Sequence, residues 1–386
     1  MTNDSLELTE RKVLDCACSS LQGHLALSAE GYKCSTEDLL HALLGVAAQG
    51  STLEAVCADL HLAHPETIRG YLNEQLRPET LPELERSLNA ALVAEIPTPL
   101  WRRAQDIALD LHDRPYYGKQ AQEDGLWVRG RAREGTTRFY RMATAYVMGD
   151  GLRVTLTLHF YLPGDKPVTA LAMLLQRVRE LGIPVCRLFL DKGFAGIDCL
   201  AYLDQHRWPT VIACTIRGKK GGTRTLCQGR KSYHTRYTFR NAHQAFTADL
   251  AVCRVFSSAK RTGRLRRQAS WQIFILIHLH LLPHQVREQY RRRFGIESSY
   301  RCAAHVRGWT TSKNVAYRFL LMGLGILLVN VWLHLRWLYT QMPRRGHRWL
   351  DTKRFPLARF AQFIVRALQQ YYGCVHSITA TVAPRL

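Results

Sequence analysis

Three acidic side chains occupy positions suited to chemistry at a phosphate group. Asp110 and Asp191 each close an apolar stretch with strand character, and Glu297 lies in a basic helical segment. Cleavage of a phosphodiester by two divalent cations needs carboxylates that converge on one point, because the cations lie only about 3.5–4 Å apart. Carboxylates at strand ends and on a helix packed over the sheet can converge in this way. These residues therefore indicate metal-assisted phosphoryl transfer.

The helical segment around Glu297 carries the sharpest pattern. On an uninterrupted helix, Tyr290, Arg293, Glu297 and Arg301 fall within an arc of roughly 80°. The same face is also typical of a solvated helix, where i,i+4 ion pairs contribute only about 0.2–0.5 kcal/mol each. We favour a functional site, because a carboxylate among phosphate-binding arginines weakens DNA affinity unless a cation covers it.

The charge balance points to a polyanionic partner. The 386 residues include 53 Lys and Arg against 31 Asp and Glu, which gives a formal net charge of +22. Since 47% of the residues are hydrophobic, the chain can bury a core and is not a disordered basic tail. The excess charge is spread along the chain, so we expect folded basic surfaces that bind DNA.

The elements that must position these residues are those of an α/β protein. Helical periodicity covers residues 1 to about 95, and strands, a hairpin, a helix and a further strand follow up to residue 190. This order predicts a mixed sheet flanked by helices. Alternating stretches then predict an all-β insertion before Glu297. The expected domains are residues 1–98, 99–209, 210–282, 283–340 and 341–386.

Two segments outside this core each allow two structural interpretations. Residues 51–76 have the spacing of a helix-turn-helix, so the helical N-terminal domain is expected to bind DNA, but two packed helices that never contact DNA fit equally well. Residues 319–333 are almost wholly apolar, yet they are shorter than the roughly 20 residues of a membrane span. We interpret them as a buried core helix.

The polar N-terminus has no signal-peptide pattern, and we expect a cytoplasmic, nucleoid-associated protein without a membrane partner.

Three motifs together resemble a known family. The stretch YRRRFGIESSYR (290–301) resembles the Tyr-x2-Arg-x3-Glu signature of DDE-type insertion-sequence transposases. IALDLHDRPYYGK (107–119) and LFLDKGFAG (188–196) are similar to the first and second Asp motifs of that family. The resemblance extends over residues 105 to 335. It implies an RNase-H-like catalytic core interrupted by a β-rich insertion before the final Glu.

The resemblance also implies roles for individual residues. Asp110, Asp191 and Glu297 would be the catalytic ligands of Mg²⁺, with Mn²⁺ as an alternative, and Tyr290 and Arg293 would contact DNA phosphate. We favour Asp110 over its neighbour Asp113 because site carboxylates need a rigid element beneath them. The family often has Lys seven residues after the Glu. Here that position is Ala304, and the candidates for its phosphate contact are Arg301 and Arg307.

Further DNA contacts are expected from the insertion. Trp271, on the insertion 26 residues before Glu297, could stack on an unpaired base, as this family requires at a transposon end, but we favour a packed core tryptophan. Basic residues in the loops of the insertion would form a clamp on the DNA backbone or, alternatively, a solvated surface. The members of this clamp that we take as DNA-binding are Lys219, Lys220 and Arg266.

The function that these features predict is metal-dependent, cut-and-paste DNA transposition. The partners would be the terminal inverted repeats and target DNA, and pairing of two ends implies a homodimer on DNA. Two other functions stay open. One is an RNase-H-like nuclease that cleaves without strand transfer, and the other is a catalytically inactive DNA-binding protein derived from a transposase.

Overall fold

The computed structural model divides by compactness into two units. One unit is Met1–Glu95 with Tyr300–Leu386, and the other is Ile96–Ser299. The domain division predicted above is a functional one, and it stays a prediction. The structure describes residues 7–118, 125–149, 152–218, 221–261, 264–344 and 347–374. It describes only the backbone of residues 257–261, 264–267, 343–344 and 347–349.

The helices and strands are numbered in chain order. Up to residue 95 they are α1 (Glu10–Gln22), β1 (Glu30–Gly31), β2 (Cys34–Ser35), α2 (Thr36–Gln49), α3 (Leu53–Asp59), α4 (Pro65–Gln75) and α5 (Leu81–Ala94). There follow α6 (Pro99–Arg102), β3 (Gln105–Pro115), β4 (Val128–Arg133), β5 (Thr136–Val147), β6 (Thr155–Tyr161), α7 (Pro167–Glu180), β7 (Val185–Leu190), α8 (Ile197–Gln205) and β8 (Thr210–Cys214). The remaining elements are β9 (Tyr233–Arg240), β10 (Ala245–Arg261), β11 (Arg264–Ile277), α9 (Pro283–Arg292), α10 (Gly295–His305), α11 (Val315–Tyr339), β12 (Gln341–Arg344), β13 (His347–Leu350) and α12 (Leu357–Tyr371).

The helical character predicted for the N-terminal 95 residues is confirmed where the structure describes them. Local sequence explains the helix starts. Ser35 and Asp38 form a reciprocal capping box at the start of α2, and Pro65 occupies the first turn of α4, where its missing N–H costs no hydrogen bond. Residues 51–76 contain α3 and α4 as two separate helices, and their contact with DNA stays a prediction.

Helix α11 extends the predicted apolar helix to 25 residues. By length and composition it could cross a membrane, but 83% of its most apolar window is buried inside the protein. Its one amide, Asn330, is buried and donates to the Leu92 carbonyl of α5 at 2.9 Å. Helices α2 and α3 pass the same test only as a pair, and they are bent by 108° at their junction.

The second unit contains the mixed sheet that the sequence predicts. The described strands form a nine-stranded sheet in the order β4-β5-β3-β7-β8-β11-β10-β9, with β6 also paired to β5. Strands β3, β7 and β8 run parallel, whereas the hairpin β5–β6 and the ribbon β9–β10–β11 are antiparallel. The ribbon continues the sheet through β8 and β11. The turn predicted at residues 149–151 lies partly outside the described residues.

The two centre strands determine which residues share a face. In the parallel pairing of β3 with β7, Asp106 lies opposite Arg187 and Ala108 opposite Phe189. Successive side chains alternate between faces, so the next position on the same face is Asp110. The next position on the β7 side is Asp191, directly after the strand ends. Helix α9 covers this face, since Tyr290 contacts the ring of Phe189.

A steric test of the first unit uses two helical glycines. A Cβ on Gly323 of α11 would lie 2.5 Å from Cδ1 of the buried Leu88, whereas a Cβ on Gly70 of α4 meets nothing within 4 Å. We therefore expect Gly323→Ala to lower the free energy of unfolding by about 1–3 kcal/mol. Gly70→Ala should instead raise it by about 0.5–1 kcal/mol, because alanine has the higher helix propensity.

Urea unfolding measures both effects, and the double variant Leu88→Ala, Gly323→Ala should lose less stability than the sum of the two single variants, because the shorter side chain makes room for the added methyl group. A Gly323→Ala protein as stable as the parent would contradict the close packing of α5 on α11.

Candidate active site

The candidate site is built at the carboxyl end of β7. Asp110 lies within β3, and Asp191 is the first residue after the neighbouring parallel strand. These two acids are far apart in sequence, but the register of the sheet makes them neighbours on one face. The carboxyl ends of parallel strands are where α/β proteins usually bind ligands.

The guanidinium of Arg293 joins the two acids. Its Nη2 atom lies 2.7 Å from Oδ1 of Asp110 and 3.9 Å from Oδ1 of Asp191. Arg293 is 4% exposed and the Asp110 carboxylate 14% exposed, so this contact is largely shielded from water. Both carboxylates therefore approach one cationic group at the end of α9.

The electrostatics at Asp110 are dominated by burial. The pKa of Asp110 is raised to about 6, chiefly by desolvation; Arg293 lowers it, and the charges of Asp191 and Glu297 raise it. One buried guanidinium therefore does not compensate the negative charge that the three acids bring together. A further cation at this point would favour the ionised form of Asp110.

Asp113 is held elsewhere. It lies three residues beyond Asp110 on β3, and alternation turns it to the opposite face. Its carboxylate accepts from Arg141 Nε at 2.6 Å and Nη2 at 3.1 Å, and Arg133 also pairs with it. The geometry thus favours Asp110 over Asp113 as the carboxylate available to the site.

The uninterrupted helix predicted around Glu297 is wrong. Helix α9 ends at Arg292 and α10 begins at Gly295, and i→i+3 backbone hydrogen bonds, such as that from Ile296 N to Arg293 O, tighten the junction. The 80° arc expected for an ideal helix therefore does not exist. Arg293 caps the end of α9, and its guanidinium is buried there against Asp110.

The junction between α9 and α10 also determines where α10, the helix that carries Glu297, begins. Tyr146 of β5 donates its hydroxyl to the Gly295 carbonyl at 3.2 Å, and a Cβ on Gly295 would lie 3.0 Å from Nη1 of Arg153. Only glycine fits this close approach without displacing Arg153. Glu297 follows on the first turn of α10 and is exposed, within electrostatic range of Asp110.

Tyr290 lies in the core and supports the strand end. It is 7% exposed, packs between the rings of Phe189 and Phe274, and donates its hydroxyl to the Leu190 carbonyl at 3.0 Å. Leu190 directly precedes Asp191. In this structure Tyr290 thus holds the backbone that carries a site carboxylate, and its expected contact with DNA phosphate stays a prediction.

Sequence reasoning missed a second support for the site. Arg187 donates to both oxygens of Asp106 at 2.8 and 2.7 Å, and through Nη1 to Oε1 of Gln289 at 2.6 Å. This contact ties β3, β7 and α9 together close to the acids. A charged residue within the apolar stretch VCRLFL was the signal that could have revealed it.

Of the other predicted DNA-binding residues, the structure describes the side chains of Trp271, Arg301 and Arg307. Trp271 lies half-buried on β11 opposite Arg254. Arg301 is exposed on α10, and the guanidinium of Arg307 lies 5.7 Å from the ring centroid of Trp309. Their DNA contacts stay predictions. Lys219 and Lys220 lie outside the described residues, as does the side chain of Arg266, whose backbone belongs to β11.

The chemistry of the site suits a hard divalent cation. Its donors are carboxylate oxygens, the ligands that Mg²⁺ and Mn²⁺ prefer, and the raised pKa of Asp110 indicates excess negative charge. Among the described residues, however, no three acidic, histidine or cysteine side chains are grouped closely enough to hold a metal ion together. The structure therefore brings Asp110 and Asp191 together at Arg293, and Glu297 does not complete a group of three ligands with them.

The raised pKa of Asp110 predicts how stability varies with pH. The folded protein keeps a proton on Asp110 up to about pH 6, whereas the unfolded chain releases it near 3.8. Because the folded state binds more protons in this window, stability should fall as pH rises from about 4 to about 6 and then level off. In metal-free protein, Asp110→Asn should remove this dependence of about 2–3 kcal/mol. Urea unfolding across this range measures it, and parallel curves for parent and variant would contradict the raised pKa.

A second prediction separates the two roles of Tyr290. If the hydroxyl supports Leu190, Tyr290→Phe should lower the free energy of unfolding by about 1 kcal/mol and leave the affinity for DNA unchanged. If it contacts a phosphate instead, the affinity for DNA should fall by the same factor at every salt concentration, at constant stability, because a neutral hydroxyl releases no counterion. The fully exposed Tyr32 provides the matched control, Tyr32→Phe, which should change neither quantity.

Comparison with known proteins agrees with this geometry. Residues 102–325, more than half of the chain, match the family model described as Transposase DDE domain. The match contains Asp110, Asp191 and Glu297 and thus spans the whole candidate site. No curated protein matches the chain in a sequence comparison. The chain belongs to the DDE transposase family, whose members act on DNA and generally use divalent metal ions.

Proposed function

We propose that this chain is a metal-dependent, cut-and-paste DNA transposase. The observation that carries the proposal is the convergence of Asp110 and Asp191 on the Arg293 guanidinium, with Glu297 within electrostatic range. These side chains come from two strands and from the region of α9 and α10, and the family match covers all of them.

The sheet supports an RNase-H-like core for this activity. Its order β6-β5-β3-β7-β8, with antiparallel β5 and β6 and parallel β3, β7 and β8, is the arrangement expected of that fold. The ribbon β9–β10–β11 lies between β8 and α9 in the chain, the position proposed for the β-rich insertion. In this interpretation the insertion extends the catalytic sheet.

Each residue of the site would have a distinct role in catalysis. Asp110 and Asp191 would hold Mg²⁺, and Glu297 would complete the set of oxygen ligands. When bound, the cations would favour attack by water or a 3′-hydroxyl on a phosphodiester. Arg293 would neutralise the charge that develops on the phosphate, because its guanidinium is already aimed at the carboxylates that hold the cations. Pairing of two transposon ends would require at least two copies of the chain.

The test measures cleavage and joining with variants that cannot hold a metal. Labelled duplexes that carry the ends of the element are incubated with a target plasmid and Mg²⁺. We expect Asp110→Asn, Asp191→Asn and Glu297→Gln each to reduce end cleavage by at least about a hundredfold while DNA binding in EDTA persists. Asp113→Asn should retain most activity if folded, because Asp113 pairs with Arg141 and Arg133.

The exposed Asp198 of α8 supplies a matched control, Asp198→Asn, with the same loss of charge. Cleavage without strand-transfer product would favour a nuclease. DNA binding with no cleavage under any metal would favour an inactive, DNA-binding derivative. Loss of cleavage in folded Asp113→Asn but not in Asp110→Asn would exclude the proposed ligand set.

A further inference from the structure

A cationic cavity lies between α9 and β10, lined by residues that the proposed chemistry does not use. Its volume is about 370 Å³, which is within the usual range of small-ligand sites. Three guanidiniums line it together with one carboxylate, that of Glu288. The lining residues are Ser232, Cys253, Arg254, Pro283, His284, Arg287, Glu288 and Arg291.

The arginines of this cavity have no carboxylate partner among the residues that the structure describes. The Nε atoms of Arg254 and Arg287 are buried, and neither has a hydrogen-bond partner in the described part of the chain. Within those residues, no carboxylate forms a salt bridge with either of them or with Arg291. Unsatisfied buried donors are costly. Their cost is removed if a bound anion accepts from them.

Neighbouring uncharged groups hold Arg254 in place, and they do not neutralise its charge. Arg254 donates through Nη1 to the Arg230 carbonyl at 2.8 Å and lies over the ring of Phe256. Cys253 donates its thiol hydrogen to the Pro283 carbonyl at 3.1 Å. Burial raises the pKa of that thiol to about 11, so it is not an anionic partner for Arg287.

The position of the cavity relates it to the candidate active site. Arg287 and Arg291 are four residues apart and share one face of α9, whereas Tyr290 faces the core. Arg293 follows the same helix, roughly 9 Å from Arg287 at 1.5 Å per residue. One short helix thus presents arginines to the cavity and delivers another to the site carboxylates.

We propose that this cavity is a phosphate-binding pocket that takes a backbone phosphate of the DNA at a distance from the cleaved bond. Guanidiniums bind phosphate through paired hydrogen bonds, and the chain's net charge of +22 favours a polyanion over a small carboxylate. The inference rests on the proposed function only in taking DNA as the source of the phosphate. Free phosphate or pyrophosphate would accept the same hydrogen bonds, and the test below distinguishes these ligands from DNA.

The test measures the salt dependence of binding to a labelled 20-base-pair duplex in EDTA, where no cleavage occurs. Arg287→Gln combined with Arg291→Gln should lower the slope of log K against log salt by about 0.9 for each phosphate that the variant no longer neutralises. The corresponding Lys variants should keep the slope. Arg354→Gln combined with Arg359→Gln removes two exposed arginines outside the pocket, and this matched control should leave the slope at the value of the parent.

Circular dichroism and thermal melting establish that each variant is folded, and pyrophosphate is titrated by thermal shift at constant ionic strength. A smaller slope in the pocket variant alone supports the proposal. An unchanged slope, with pyrophosphate stabilising the parent but not the pocket variant, would overturn the DNA source. An unchanged slope with no pyrophosphate effect would overturn the pocket itself. Because binding is measured without metal, either failure is distinguishable from loss of the cleavage activity proposed above.

Discussion

The second unit is built around one constraint: two carboxylates lie side by side at the centre strands of the sheet, next to a single guanidinium. Like charges repel, and burial raises the pKa of Asp110 to about 6 even with Arg293 at 2.7 Å. Such an arrangement persists only where the surrounding structure imposes it. Natural proteins accept this cost at functional sites, where local rules of stability are commonly broken.

The surrounding structure imposes it through backbone register and through three side-chain contacts. The parallel pairing of β3 with β7 puts Asp110 and Asp191 at matching positions on one face. Arg187 ties both strands to α9, and the Tyr290 hydroxyl holds the carbonyl directly before Asp191. The Gly295 carbonyl, which accepts from Tyr146, determines where α10 begins. Each contact acts on the backbone close to a site residue, which is how a rigid scaffold keeps reactive groups in position.

The family signature takes on a physical meaning in this framework. Its tyrosine is a core residue that supports a strand end, and its arginine is the buried countercharge of the first acid. Its glutamate is exposed on the helix that follows. The neighbouring arginines of α9 face the cavity at β10 instead. Helix α9 and its capping residue Arg293 therefore carry a core tyrosine, the countercharge of Asp110 and the arginines of the cavity.

Much of the fold could be predicted because local patterns encode it. Alternation in RFYRMATAYVM and LRVTLTLHFYL predicts the β5–β6 hairpin, and the apolar stretch before Asp191 predicts β7. The candidate acids were also accessible to sequence reasoning, since Asp110 and Asp191 close apolar strands. The helix break at Arg293 was not predictable, and the sequence marked Arg187 as a charged residue within an apolar strand without indicating its partners. Tertiary packing decides which buried partner each arginine reaches, and helical periodicity contains no information on that partner.

By itself, the sequence determined the basic excess, the order of strands and helices, and the family motifs. These follow from composition and from periodicity over neighbouring residues. Only the tertiary structure decided that Asp110 and not Asp113 faces Asp191, that Tyr290 is buried, and that Arg287 and Arg291 line a cavity. The physical reason is that pairing of β3 with β7 and packing of α9 join residues far apart in the chain. The energy of those contacts depends on burial and distance, which no local pattern specifies.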